Sequence, residues 1–188
     1  MRSLQKRVLL ITGSPGAGKT TVLLKTTDVL KAEGFTVGGM VSREVRSCGT
    51  RVGFEVMDLY TGKTGWLAHT NQKYGPKVGK YHVNLADLDG VGAEAVQKAN
   101  RECDIVAVDE VGPMELFSQK FRQAVESAAD GRKPIVSTIH WKAEDHLVKK
   151  IKARQDAEIF LVTWENRDSL PPAIACKAVE YLTATRLG

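Results

Sequence analysis

No run of about 18 consecutive apolar residues exists in this chain, the length a membrane-crossing helix needs, so a membrane span is excluded and no membrane partner is expected. The amino terminus passes from Met1 to the short apolar Val8-Leu9-Leu10-Ile11 and then directly into glycines, which does not make a signal peptide. Cysteine is scarce: Cys48, Cys103 and Cys176 are odd in number, far apart, and form neither a zinc pattern nor a disulfide framework. They are expected to be small buried or surface residues of a protein in the reducing cytoplasm. His69, His82 and His146 show no metal-ligand spacing, and the lack of internal repeats or low-complexity segments argues against a repeat array.

What remains is an ordinary soluble composition, 43% hydrophobic and 26% charged, over 188 residues. That length suits one domain, residues 1–188, with a sizeable core. The net charge of +5 favours anionic ligands, nucleotides as much as nucleic acid. A monomer is expected. Short apolar runs at Arg7–Thr12, Val37–Val41, Ile105–Asp109, Pro134–Ile139 and Glu158–Thr163 alternate with helix-like segments at Lys19–Glu33, Ser118–Ala129, Ala143–Arg154 and Pro171–Leu182. The alternation predicts an α/β fold, a mostly parallel sheet flanked by helices.

One region departs from it. Between Val37 and Trp66 the pattern is strand, turn at Cys48-Gly49-Thr50, strand, turn at Tyr60–Lys63, short strand, with Val52, Phe54 and Val56 on one face of the middle piece. This predicts an antiparallel β-hairpin elaboration after the second strand, about residues 37–66, followed by loop over residues 68–90.

Gly13-Ser14-Pro15-Gly16-Ala17-Gly18-Lys19-Thr20 fits the phosphate-binding pattern G-x-x-x-x-G-K-[ST] between a strand and a helix. Glycines let successive backbone N–H groups turn toward phosphate oxygens, and the helix start adds its positive dipole end. Residues Gly13 through Thr21 are therefore candidate nucleotide-binding residues, with Lys19 reaching the β- and γ-phosphates and Thr20 offering its hydroxyl to Mg²⁺. The loop alone does not tell a binder from a kinase or a hydrolase.

The deciding residues lie in Ile105-Val106-Ala107-Val108-Asp109-Glu110, an apolar strand ending in two acids. A strand-end acid sits where parallel sheets bind ligands, so Asp109 is the second candidate Mg²⁺ ligand. Glu110, beside it, can take a proton from a water attacking the γ-phosphorus, and with Lys19 is the catalytic candidate. His140, at the end of the next strand, is a candidate γ-phosphate sensor. Asn166 and Arg167, after the last strand, are candidate contacts for the base. The arginines Arg43, Arg46, Arg122, Arg132, Arg154 and Arg167 are open candidates for a transition-state cation. Lys73, Tyr74, Lys77, Lys80 and Tyr81 interleave cations with rings as single-strand binders do, but such a run is more often a solvated loop, and no nucleic-acid partner is expected.

Beyond these motifs, the segments Gly38–Arg46 and Arg51–Val56, the stretch Asp109-Glu110-Val111-Gly112-Pro113-Met114-Glu115-Leu116-Phe117 and the late run Val162–Arg167 together resemble the THEP1-type nucleoside triphosphatases. The resemblance implies a P-loop NTPase fold of the RecA-like kind with a hairpin insertion. It further implies slow Mg²⁺-dependent hydrolysis of ATP, GTP, CTP, UTP and TTP, with Ile105 to Gly112, including Val111, lining the nucleotide site. Two other readings stay open on the residues themselves, a kinase for a small molecule or nucleotide, and a nucleotide-dependent switch or nucleic-acid-binding regulator.

Overall fold

The alternating pattern of the sequence becomes nine strands in one sheet, ordered β5-β6-β4-β3-β2-β7-β8-β1-β9, in a computed structural model that describes residues 5–186. Five of the strands form the parallel part: β1 (Val8–Thr12), β2 (Val37–Ser47), β7 (Ile105–Val111), β8 (Ile135–Ile139) and β9 (Ala157–Leu161). Because β8 lies between β1 and β7, the phosphate-loop strand and the acid-bearing strand are not neighbours.

Both faces of the parallel part are covered, as side chains of near-continuous apolar strands require. In β1, Val8 and Leu10 join the core layer that receives Phe121, Val125, Val148 and Ile151, whereas Leu9 and Ile11 join the layer with Leu23, Leu30, Ile174 and Ala178. The helices α3 (Glu94–Glu102), α4 (Gln119–Asp130) and α5 (His146–Lys152) thus pack on one face, and α1 (Lys19–Ala32) and α6 (Leu170–Arg186) on the other. Ser118 caps α4 by accepting the Phe121 N–H, as its residue type predicts.

The hairpin expectation holds and proves too small. Strand β2 runs on past the parallel part and pairs antiparallel with β3 (Thr50–Asp58), which pairs with β4 (Thr64–His69). Residues 68–90, expected as loop, instead hold β5 (Lys77–Val78), β6 (Tyr81–Val83) and the short helix α2 (Leu85–Asp87). A π-helical turn, Leu88–Ala93, then leads into α3, a helix not anticipated from the sequence. Gly90 and Gly92 explain the misreading, since glycine is a poor helix former. Gly92 serves packing: a Cβ there would meet Met40 Sδ at 2.8 Å.

Candidate active site

After β1 the chain turns through six residues to the start of α1, where Gly18 stands at φ 100°, ψ 25° in the left-handed region. Glycine reaches that conformation without steric cost. The turn leaves the first N–H groups of α1 without side-chain capping at Gly18, open to an anion. Lys19 folds back over the loop, its Nζ donating to the carbonyls of Gly13 (3.1 Å) and Ser14 (3.2 Å). Thr21 follows, exposed in the first turn of α1, and Ala17 is the buried residue that seats the loop on the core.

The second motif meets this loop at the carboxyl ends of β7 and β8. Asp109 is buried, 1% exposed, and its carboxylate accepts from the Thr20 hydroxyl (2.9 Å to Oδ2) and the Thr138 hydroxyl (2.8 Å to Oδ1). Burial pushes its carboxyl above the usual carboxylate range; the bonds from Thr138, Thr20 and the Ser42 N–H oppose that shift, and the charge of Glu110 adds to it. Two hard oxygen donors in contact, one charged, fit Mg²⁺, which takes one or two protein oxygens and completes its shell with waters and substrate phosphates. No cluster of three or more His, Cys, Asp or Glu suited to a metal exists among the described residues.

Glu110 owes its position to a break in the strand. Pairing of β7 with β8 shifts register between Val108 and Val111, and Glu110 itself adopts φ 113°, a rare conformation for a residue with a side chain. The bulge turns its carboxylate out of the sheet into a cleft of about 520 Å³ that Lys19, Thr20, Thr138 and His140 also line. Gly112 makes room for it: a Cβ at that position would stand 2.9 Å from both Cγ and Oε1 of Glu110. The other members of the run have a scaffolding place, since Ile105, Val106, Ala107 and Val108 are at most 1% exposed in the two core layers, and Val111 is buried beside them.

His140 reaches the cleft with a buried Nδ1 that has no partner among the described residues. Asn166 is engaged within its own loop, accepting the Thr163 N–H and donating to the Leu161 carbonyl, both at 2.8 Å. Arg167 lies over the exposed Trp164 ring (4.4 Å from Cζ to centroid), and its Cδ is 3.7 Å from where a Cβ on Gly18 would stand, so this stack borders the phosphate loop. Of the six open arginines, Arg43 lines the cleft, paired with Glu55; Arg46 is paired with Glu44, Arg122 with Asp145, and Arg154 with Asp130 and Asp156.

Among the cleft residues not named as site residues from the sequence, three bear on the two acids, and one of them, Thr138, lies in the strand end 137–140 from which only His140 is chosen. Thr138 and Ser42 matter through bonds to Asp109, which only the strand order reveals. Glu115, on the short 3-10 turn Glu115–Phe117, is 3% exposed in the cleft wall, and burial, reinforced by the charge of Glu110, raises its carboxyl well above the usual range. Its place two residues after Pro113 gave no sign of burial.

A parallel α/β sheet with a glycine-rich Lys-Thr loop after its first strand, and an Asp-Glu pair ending a strand one removed from it, defines a RecA-like P-loop NTPase. Comparison with known proteins narrows the class. A family profile described as NTPase matches residues 8–175. The chain is 47% identical to nucleoside-triphosphatase THEP1 of Thermofilum pendens over 88% of its own length and 92% of that protein. It is 46% identical to the THEP1 protein of Methanosarcina acetivorans over 93% and 98%. Among solved structures it is similar to THEP1 of Aquifex aeolicus, with TM-score 0.79 and 32% identity over 88% of this chain and 95% of that one. The human cancer-related nucleoside triphosphatase gives TM-score 0.77 and 36% identity over 90% and 96%. The chain belongs to the THEP1 nucleoside-triphosphatase family and is an enzyme of that hydrolase class.

Proposed function

We propose that this enzyme is a Mg²⁺-dependent hydrolase that converts ATP, GTP, CTP, UTP and TTP to the diphosphate and inorganic phosphate with slow turnover. The observation that carries this reading is the carboxylate of Glu110, turned by a bulge into the cleft that Lys19 and Thr20 share. A chain that only bound nucleotide would not need it.

The backbone N–H groups of Gly13 to Thr20, all but Pro15, hold the phosphates, and Lys19 exchanges its two carbonyl contacts for the β- and γ-phosphates. Thr20 and Asp109 would hold Mg²⁺, whose chemistry when bound is neutralisation of charge on the β- and γ-oxygens. Glu110 accepts a proton from a water as the oxygen–phosphorus bond forms to the γ-phosphorus and the bond to the β,γ-bridging oxygen breaks. The unpartnered Nδ1 of His140 supports a hydrogen bond to the γ-phosphate or that water. The ion pairs that occupy Arg43, Arg46, Arg122 and Arg154 support slow turnover, since an arginine finger is worth about 10³ to 10⁵ in rate. The Arg167–Trp164 stack supports broad base acceptance, because stacking discriminates weakly between bases.

The same reading takes the chain as one domain acting as a monomer, and the three free cysteines support a reducing, cytoplasmic setting. Among the described residues no helix is long and apolar enough to cross a membrane. The test is a multi-nucleotide phosphate-release assay with and without Mg²⁺ on the parent, Lys19→Ala and Glu110→Gln. Glu110→Gln should keep nucleotide affinity and lose about 10² to 10⁴ in release rate. A variant that hydrolyses ATP like the parent would remove Glu110 from the mechanism, and release that depends on an added acceptor would mark a kinase.

A further inference from the structure

Hydrolysis uses one end of the cleft. Lys19, Thr20, Asp109 and Glu110 account for the triphosphate and its attacking water, and the Arg167–Trp164 stack borders the loop outside the cleft wall. The cleft continues away from the loop toward the antiparallel strands, where Phe54, Leu67 and Val78 give it an apolar wall. A water nucleophile needs no such wall. The whole cleft, about 520 Å³, lies within the ordinary range of small-molecule sites, about 300–1,000 Å³.

The charged group at this end is Arg51, and it is oriented in advance. Its Nε donates to the Tyr81 hydroxyl at 2.8 Å and its Nη1 to Glu44 at 2.9 Å. The Phe54 and Tyr81 rings lie 5.2 and 5.7 Å from its Cζ. Nη2 is the edge without a partner among the described residues. A guanidinium held this way loses little freedom on meeting an oxyanion, which its planar fork matches. The bond to Tyr81 draws the Arg51 side chain toward β6, on the side of β3 away from the strand that carries the phosphate loop.

The neighbourhood also carries excess positive charge. Glu44 is shared by Arg46 and Arg51, Glu55 pairs with Arg43, and Lys80 stands 5.5 Å from the Tyr81 ring. Arg43, Arg46, Arg51 and Lys80 thus outnumber Glu44 and Glu55 on this antiparallel edge, while the other carboxylates of the cleft, Glu110 and Glu115, stand at the hydrolytic end with Lys19.

We propose that this end of the cleft is a second small-molecule site, for a phosphate monoester with a flat or branched apolar body, occupied together with the nucleotide. Arg51 grips the phosphate, and Phe54, Leu67 and Val78 enclose the body. The occupant faces Glu110 from the side on which water attacks, so the site rests on the hydrolytic reading for its neighbour but not for its own binding.

The test uses the full chain with its loop already filled by Mg²⁺ and the β,γ-imido analogue of ATP, so that added phosphate cannot bind there. Phenyl phosphate is titrated by calorimetry, with phenol, inorganic phosphate and benzoate as partial probes. Phenyl phosphate should bind, with each partial probe at least about tenfold weaker (~1.4 kcal/mol). Arg51→Lys, which keeps the charge and loses the fork, should weaken it by about tenfold or more with nucleotide affinity unchanged. Val78→Phe, which fills the chamber from the short edge strand, should abolish it even if Arg51→Lys does not fold. Binding confined to nucleotide-free protein, or indifferent to both substitutions, would overturn the site. Benzoate binding as tightly as phenyl phosphate would overturn the phosphate assignment. Loss of hydrolysis in Glu110→Gln leaves this titration untouched, so the two readings fail separately.

Discussion

Two residues adjoin the Glu110 carboxylate and shape its surroundings. Gly112 is one, because it supplies the volume in which the Glu110 side chain rests. Gly112→Ala should push that carboxylate aside and lower kcat by about 10-fold or more, with KM for ATP little changed. An unchanged kcat would mean that Glu110 has another place to stand. Glu115 is the other. Its folded pKa is raised above the usual 4.5, chiefly by burial, so the folded chain keeps a proton that the unfolded chain has already released. Over that window the native state binds more protons, and stability must fall as pH rises from about 4.5. Glu115→Gln cannot ionise. Its thermal midpoint should therefore gain on that of the parent as pH rises above about 4.5, and a difference that stays constant with pH would contradict the assignment.

At the scale of elements, the segment that brings His140 to the cleft is held by one side chain. Arg122, from α4, donates to both carboxylate oxygens of Asp145 and to the Leu116 carbonyl, tying the turn after β7 to the start of α5. Asp145 also caps α5 by accepting the Leu147 N–H at 2.8 Å. Asp145→Ala should cost about 1–3 kcal/mol in urea unfolding at neutral pH, from the lost cap and the half-buried guanidinium left without its partner. The bonds from Arg122 lower the Asp145 pKa below its usual 3.8. Its contribution is therefore complete above that value and disappears as pH falls below it, so parent and variant should converge in acid. The parallel strands were legible because each is a short apolar run, and all five lie within a few residues of expectation, β2 being the one that runs on. Strands β5 and β6 were not, being two and three residues long and set among Gly75, Pro76 and Gly79.

For the whole molecule, the candidate chemistry was more legible in the chain than the space around it. Lys19, Thr20, Asp109 and Glu110 could be named because each lies in a contiguous motif at a strand end. The far wall of the cleft could not, since Arg51, Phe54, Leu67 and Val78 come from three strands of an antiparallel extension. Arg51 and Phe54 had been set on opposite faces of β3 by simple alternation. The pairing with β2 sets Gly53 opposite Val45 but Arg51 opposite Arg46, so Val52 is an extra residue that interrupts that period, and both Arg51 and Phe54 meet the cleft.

The conformation of Glu110 has one more consequence, for how this protein can be made sturdier. A side-chain-bearing residue at φ 113° costs about 1–3 kcal/mol, while glycine in the same place loses about 0.5–1 kcal/mol in chain entropy. Glu110→Gly should therefore melt at a higher temperature than the parent and release phosphate about 10²- to 10⁴-fold more slowly. On the proposed mechanism, selection for heat resistance alone would discard the water-activating carboxylate, and a library screened for thermal survival without an activity screen should be enriched in poorly active chains altered at this one position.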